Sequence, residues 1–167
     1  MSYDERRRAL HITVLDRYRM KHSRLMRERV RRVTVLFREL GLELADVEYT
    51  DDSFTAGFET ESGFDAGIFI DHDSKFLEIA FTFAFSPALS DFIKDRVDDM
   101  LRVCYEYGCY MTIQSSRQEI TFSTYSKIYY AGLNYFALKE TLRDFSATVE
   151  SLHEVLELAK GVSHGDT

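Results

Sequence analysis

Tryptophan is absent from this chain, proline occurs once and cysteine twice, and each scarcity closes off a class of protein. The lone Pro87 excludes a proline-rich linker or tail. Cys104 and Cys109 stand in CYEYGC, which lacks the tight CxxC pairs that a zinc site takes. Two reduced thiols of a cytosolic protein are the expectation, with a local disulfide across a helix end as the alternative. No apolar run approaches the roughly 20 residues of a membrane-spanning helix, and the first forty residues offer no apolar signal region. No membrane partner is therefore expected, and the chain reads as cytoplasmic. It also carries no GxGxxG, GxxxxGK[ST], HExxH or GxSxG. No catalytic residue, cofactor or metal ligand can be assigned, so an enzyme is not expected.

What is present is ample apolar material and an uneven distribution of charge. Hydrophobic residues make up 45% of the 167 positions and aromatics 14%. A domain of this size buries roughly 68–70% of the surface its unfolded chain exposes, enough for a core without disulfide or metal. The net charge of −7 hides a split. Residues 1–40 hold twelve Lys/Arg and five Asp/Glu, a net +7, whereas residues 41–167 hold nine and 23, a net −14. A basic arm on an acidic body follows.

The period of the apolar residues changes along the chain. Met26, Val30, Val33, Phe37 and Leu40 fall on one helical face, and Gly41 suits its end. The preceding stretch through Leu10, Val14, Tyr18 and Leu25 follows another phase. Either the helix is long with a slip, or it breaks near His22-Ser23, where Ser23 could cap a second helix. Period two then takes over in Phe54–Phe58, Phe64–Ile70 and KFLEIAFTFAF at 75–85, with Ala45–Tyr49 a short strand or a lead-in. Ser86-Pro87 opens a helix whose buried face runs Leu89, Ile93, Val97, Met100, Cys104, and Gly108 closes it. Two strands near 109–115 and 118–130 follow. Tyr135, Leu138, Leu142, Phe145, Val149, Leu152 and Leu156 then form a heptad seam of a last helix that Gly161 ends. The expected fold is α+β: two layers, a mainly antiparallel sheet of about five strands, helices on one face, order α-β-β-β-α-β-β-α. A basic arm over 1–22, one domain over 23–160 and a flexible tail over 161–167 make up the expected organisation.

Within 75–85, Leu77, Ile79, Phe81, Phe83 and Phe85 point towards the core and Phe76, Glu78, Ala80, Thr82 and Ala84 away from it. The outward set, with Phe69 and Thr112, forms a face rich in small residues that could receive another protein chain; the alternative is that small residues accommodate sheet curvature. Arg17, Lys21, Arg24, Arg27 and Arg31 lie roughly along one side of the first helix. They could follow phosphates, or form a solvated or intramolecularly paired face. Asp71-His72-Asp73 has ligand-type side chains on neighbours that diverge, which reads as a solvated hairpin. His153 is placed at the surface beside the seam. Tyr129, Tyr130, Tyr135 and Phe136 read as core and rim, with interface anchors as the alternative.

The order of elements, the small size and the acidic body resemble the type III secretion chaperone-like fold, and within it the YbjN-like family of bacterial proteins. The matching features are the stripe Met26–Leu40, KFLEIAFTF followed by SPALSDFIKDRVDDML, and EITFSTY leading into the last helix. The resemblance implies a non-enzymatic protein, since secretion chaperones of this fold are homodimers that bind an extended segment of a partner protein, and YbjN-like proteins are loosely described as regulators. The arginine-rich first helix departs from the acidic chaperones. The resulting expectation is a protein-binding module acting as a homodimer. Nucleic-acid binding through the basic helix and small-molecule sensing between sheet and helices are the alternatives.

Overall fold

A computed structural model describes residues 24–157. The expected arm over 1–22 and tail over 161–167 lie outside that range, as do Arg17, Lys21 and Gly161. Helix α1 spans residues 24–39. It buries Met26, Val33, Leu36 and Phe37, while Val30 and Leu40 of the predicted stripe are partly buried against the same core. Gly41 takes φ +76, and the Leu42 amide donates to the Phe37 carbonyl at 2.9 Å, a left-handed helix stop.

Six strands follow where about five were expected, because Ala45–Tyr49 does pair. They are β1 (Ala45–Tyr49), β2 (Ser53–Glu59), β3 (Asp65–Asp71), β4 (Phe76–Phe85), β5 (Tyr110–Ser115) and β6 (Ile120–Tyr129). Every pairing is antiparallel, in the order β1-β2-β3-β4-β6-β5. Strict alternation sends Phe54, Ala56 and Phe58, then Ala66, Ile68 and Ile70, then Leu77, Ile79 and Phe83 to one face, all buried. Each such large side chain contributes about 1.5–3 kcal/mol, so that face must lie under the helices.

Helix α4 (Tyr135–Val155) supplies most of the cover. Asn134 caps it by accepting the Ala137 amide at 3.0 Å. Leu138, Phe145, Val149, Leu152 and Leu156 are buried against the chain's own sheet, so the heptad seam is intramolecular. The helix stops at Val155, well before Gly161. Arg96 donates from Nε to the Val155 carbonyl at 3.2 Å and from Nη2 to the Glu157 carboxylate at 2.9 Å, while Glu157 takes φ +53. A side chain from another element thus terminates α4, where the sequence suggested a glycine.

The predicted middle helix is divided. Ser86 accepts the Ala88 amide at 3.3 Å to start a 3₁₀ turn over Pro87–Leu89, followed by α2 (Ser90–Lys94) and α3 (Val97–Glu106). The break falls at Asp95-Arg96, where Arg96 turns towards the end of α4 and lies 3.6 Å over the Phe92 ring. Ile93, Met100 and Cys104 are buried as expected, but Leu89 is exposed because the 3₁₀ turn rotates it off their stripe. Gly108 closes α3 at φ +67.

Candidate functional site

Among the described residues, the helices leave the other face of the sheet open, and register assembles it row by row. Gly57, Gly67, Ala80, Tyr125 and Tyr110 lie side by side across β2, β3, β4, β6 and β5. The neighbouring row is Thr55, Phe69, Glu78 and Lys127. Thr82, Ser123 and Thr112 form another, with the Thr82 and Ser123 hydroxyls sharing a hydrogen bond at 2.8 Å. All seven residues predicted for this face, Phe69, Phe76, Glu78, Ala80, Thr82, Ala84 and Thr112, therefore share one surface.

Residues that the sequence reading did not assign to the face stand on it too, among them Tyr110, Tyr125, Lys127 and Tyr129. The signal was present, because side chains alternate along β6 and every second residue from Thr121 faces outward. Phe76 packs edge-on against Tyr129 with centroids 5.9 Å apart. The Lys127 ammonium lies 4.4 Å from the Phe76 centroid and 5.1 Å from that of Tyr110, and 3.8 Å from the Glu78 carboxylate. A partly exposed ion pair of this kind is worth at most about 1 kcal/mol. The patch is nonetheless open to contact: Phe69 is 38% exposed, Tyr110 58% and Tyr129 64%. Beside it, Gly57 and Gly67 keep the surface low. Neither has a positive φ, and an added Cβ would meet nothing closer than 3.7 Å. Neither backbone strain nor crowding requires glycine there.

The two sheet edges differ. On β1 the register shifts between Ala45 and Glu48, Asp46 takes φ +49, and the strand carries Asp46 and Glu48. A bulge and charges of this kind blunt an edge against further pairing. On β5, YMTIQS has no charge and no proline, and its register with β6 runs unbroken from Tyr110 to Ser115. Ile113 on this strand is 39% exposed.

Of the predicted basic face, Arg24, Arg27 and Arg31 fall within the described residues. Arg24, Arg27 and Arg31 are exposed on α1, with Arg24 3.7 Å from Glu28. Two neighbouring arginines, Arg29 and Arg32, do something else. Arg29 Nη1 donates to the carbonyls of Asp71 at 3.1 Å and His72 at 2.8 Å, and its guanidinium lies 4.4 Å over the Tyr130 ring. Arg32 donates to the carbonyls of Tyr130 and Leu133. These side chains fasten α1 to the β3–β4 and β6–α4 loops. Burial pushes the Tyr130 hydroxyl up to about 12, so it stays protonated.

The other sequence candidates resolve differently. Asp71 folds back on its own loop, accepting the amides of Asp73 at 2.8 Å and Ser74 at 3.2 Å. The His72 ring is largely covered and lies 2.9 Å from the Asp73 carboxylate. Among the described residues no group of three or more His, Cys, Asp or Glu could hold a metal. His153 is half-buried rather than a freely exposed surface residue. Its ring stacks on Phe64 at 4.4 Å and neighbours Phe83 at 5.0 Å, and its Nε2 is buried without a hydrogen-bond partner. Burial holds its pKa below the usual histidine value. A side chain on the flank of α4 reaches the sheet because the phenylalanines of β4 supply a slot for a flat ring. Cys104 and Cys109 are both free thiols. Burial raises the Cys104 pKa, and Cys109 Sγ lies 3.2 Å from the Ser126 hydroxyl and 3.3 Å from that of Thr148. No described helix is long and apolar enough to cross a membrane.

No protein-family model and no curated protein matches this chain by sequence. Solved structures do match by shape. A protein of unassigned function from Methanothermobacter thermautotrophicus aligns at TM-score 0.59 and 13% identity, over 75% of this chain and 94% of its own. YbjN from E. coli, described as a proposed transcription regulator, aligns at TM-score 0.52 and 11% identity, over 76% of this chain and 87% of its own. At the level of the fold, the chain is YbjN-like.

Proposed function

We propose that the chain is a non-catalytic protein-binding module, chaperone-like or regulatory, that works as a homodimer. The observation that carries this reading is a one-sided sheet: helices cover one face, while the open face presents Phe69, Phe76, Tyr110 and Tyr129 beside an unguarded β5 edge. Exposed aromatics around a partly covered charge pair are the usual anchors of protein contacts. The low row Gly57–Gly67–Ala80 gives an extended segment a place to lie. That no crowding demands those glycines favours a receiving surface over mere relief of sheet curvature.

The second copy is assigned to the β5 edge. The Ser116 amide donates to the Glu119 carbonyl at 2.9 Å, so backbone groups at alternate residues of β5 face β6, and those of Met111, Ile113 and Ser115 face outward. Antiparallel self-pairing about Ile113 then sets Ile113 against Ile113 and Met111 against Ser115. Both partners keep their open faces on one side. Affinity capture tests the partner reading: wild type should retain a protein that a Phe76→Ser/Tyr129→Ser variant loses. Equal capture by both, or none by either, would sink it.

The description of YbjN prompts a second reading, nucleic-acid binding through α1, where Arg24, Arg27 and Arg31 are exposed. Arg29 and Arg32 are already engaged with carbonyls, and the net −14 of residues 41–167 repels a polyanion. Retention of DNA that falls steeply with salt, and vanishes when the three exposed arginines become Glu, would favour it instead.

A further inference from the structure

Where the end of α1, the β2–β3 turn and the first half of α4 meet, Leu40, Leu42, Phe58 and Leu142 wall a cleft of about 200 Å³. Glu61 and Lys139 stand at its rim and also line an adjoining hollow of about 290 Å³ beside Arg143. Among the described residues, neither forms an ion pair with the other or with any third group. The rim is nevertheless held in place. The Thr60 amide donates to the Phe64 carbonyl at 2.8 Å, the Phe64 amide to Thr60 Oγ1 at 3.0 Å, and Gly63 closes the turn at φ +81. The Ser62 and Ser146 hydroxyls share a hydrogen bond at 2.8 Å, which ties the turn to α4. Opposite charges are thus carried on two mutually fastened elements, across the mouth of an apolar cleft.

Size narrows the occupant. A dry cavity of about 150 Å³ accepts benzene, so this cleft suits one ring or one branched alkyl group. We propose that it binds a small zwitterion with a single apolar side group, the chemistry of a free hydrophobic α-amino acid. The side group sits among Leu40, Leu42, Phe58 and Leu142, the carboxylate meets Lys139 and the ammonium meets Glu61. This site lies on the helix-covered side of the molecule and does not depend on the protein-binding reading of the open face.

The test is a ¹H–¹⁵N NMR titration of the full chain with L-phenylalanine. Saturable shifts should centre on amides of residues 60–62 and 138–142. Removing either charge of the ligand, with 3-phenylpropionate or phenethylamine, should weaken binding about fivefold, the loss expected of one exposed ion pair. Glycine should not bind. Lys139→Ala and Glu61→Gln, both at exposed positions, should each weaken L-phenylalanine to a similar degree with the remaining spectrum unchanged. No saturable shift, equal binding of either half-ligand, or indifference to Lys139→Ala would each overturn the proposal.

Discussion

Arg29 offers the sharpest separation between an arginine that holds the fold and one that decorates it. Its guanidinium gives two hydrogen bonds to partly buried carbonyls, Asp71 at 3.1 Å and His72 at 2.8 Å, and covers the Tyr130 ring at 4.4 Å. A hydrogen bond from a charged donor is worth about 1.5–3 kcal/mol, and a partly desolvated cation–π contact about 0.5–2 kcal/mol. The interactions share one side chain and are not additive, so Arg29→Ala should cost about 2–3 kcal/mol. For a chain of this length that is roughly 5–10 °C in Tm. Arg31→Ala, at an exposed position of the same helix, should stay within about 0.5 kcal/mol. Urea denaturation gives both values, provided the m-values agree. If the two substitutions cost the same, the clamp between α1 and the β3–β4 loop is not real.

Further outcomes follow from single residues. Burial lowers the pKa of His153 in the fold, while the unfolded chain takes up a proton below about pH 6.5. Stability should therefore be full above that pH and fall as the pH drops through the folded pKa, and His153→Phe should flatten the decline measured between pH 7.5 and 5. Gly67→Ala should raise stability by about 0.4–1 kcal/mol in the same urea assay, since its φ is not positive and there is room for a Cβ; a loss would mean the glycine is structurally required. Leu152→Ala should cost about 2–5 kcal/mol, and its effect should not vary with protein concentration, because the seam is buried within one chain. Thiol titration with an aromatic disulfide should find Cys109 reacting faster than the buried Cys104.

Elements set by local periodicity were legible in the sequence, and elements set by long-range contacts were not. The alternation in Phe54–Phe58 and KFLEIAFTFAF gave both faces of β2 and β4, because a period of two leaves each side chain one choice of side. The stops at Gly41 and Gly108 were readable for the same reason, since a left-handed residue announces itself. The end of α4 was misplaced because Arg96, some sixty residues away in sequence, supplies it. The role of Arg29 and Arg32 was hidden likewise, because their acceptors are backbone carbonyls, which every residue has. For the candidate site, the seven predicted face residues came from alternation alone. Tyr110, Tyr125, Lys127 and Tyr129 lay on outward positions of the same alternation, but setting them beside Phe76 and Glu78 needed the order β4-β6-β5, which no local pattern encodes. His153 was misjudged because a polar residue beside a seam ordinarily faces water, whereas here aromatic rings on the sheet receive it.

The unguarded β5 edge is where the homodimer reading is most exposed to test. Light scattering on a sizing column, across a range of concentrations, should give twice the monomer mass for wild type. For Ile113→Lys it should give the monomer mass, because the pairing sets residue 113 against its own copy and like charges directly opposite destabilise a strand pair. A wild type that is monomeric throughout, or a dimer that survives Ile113→Lys unchanged, would contradict the account.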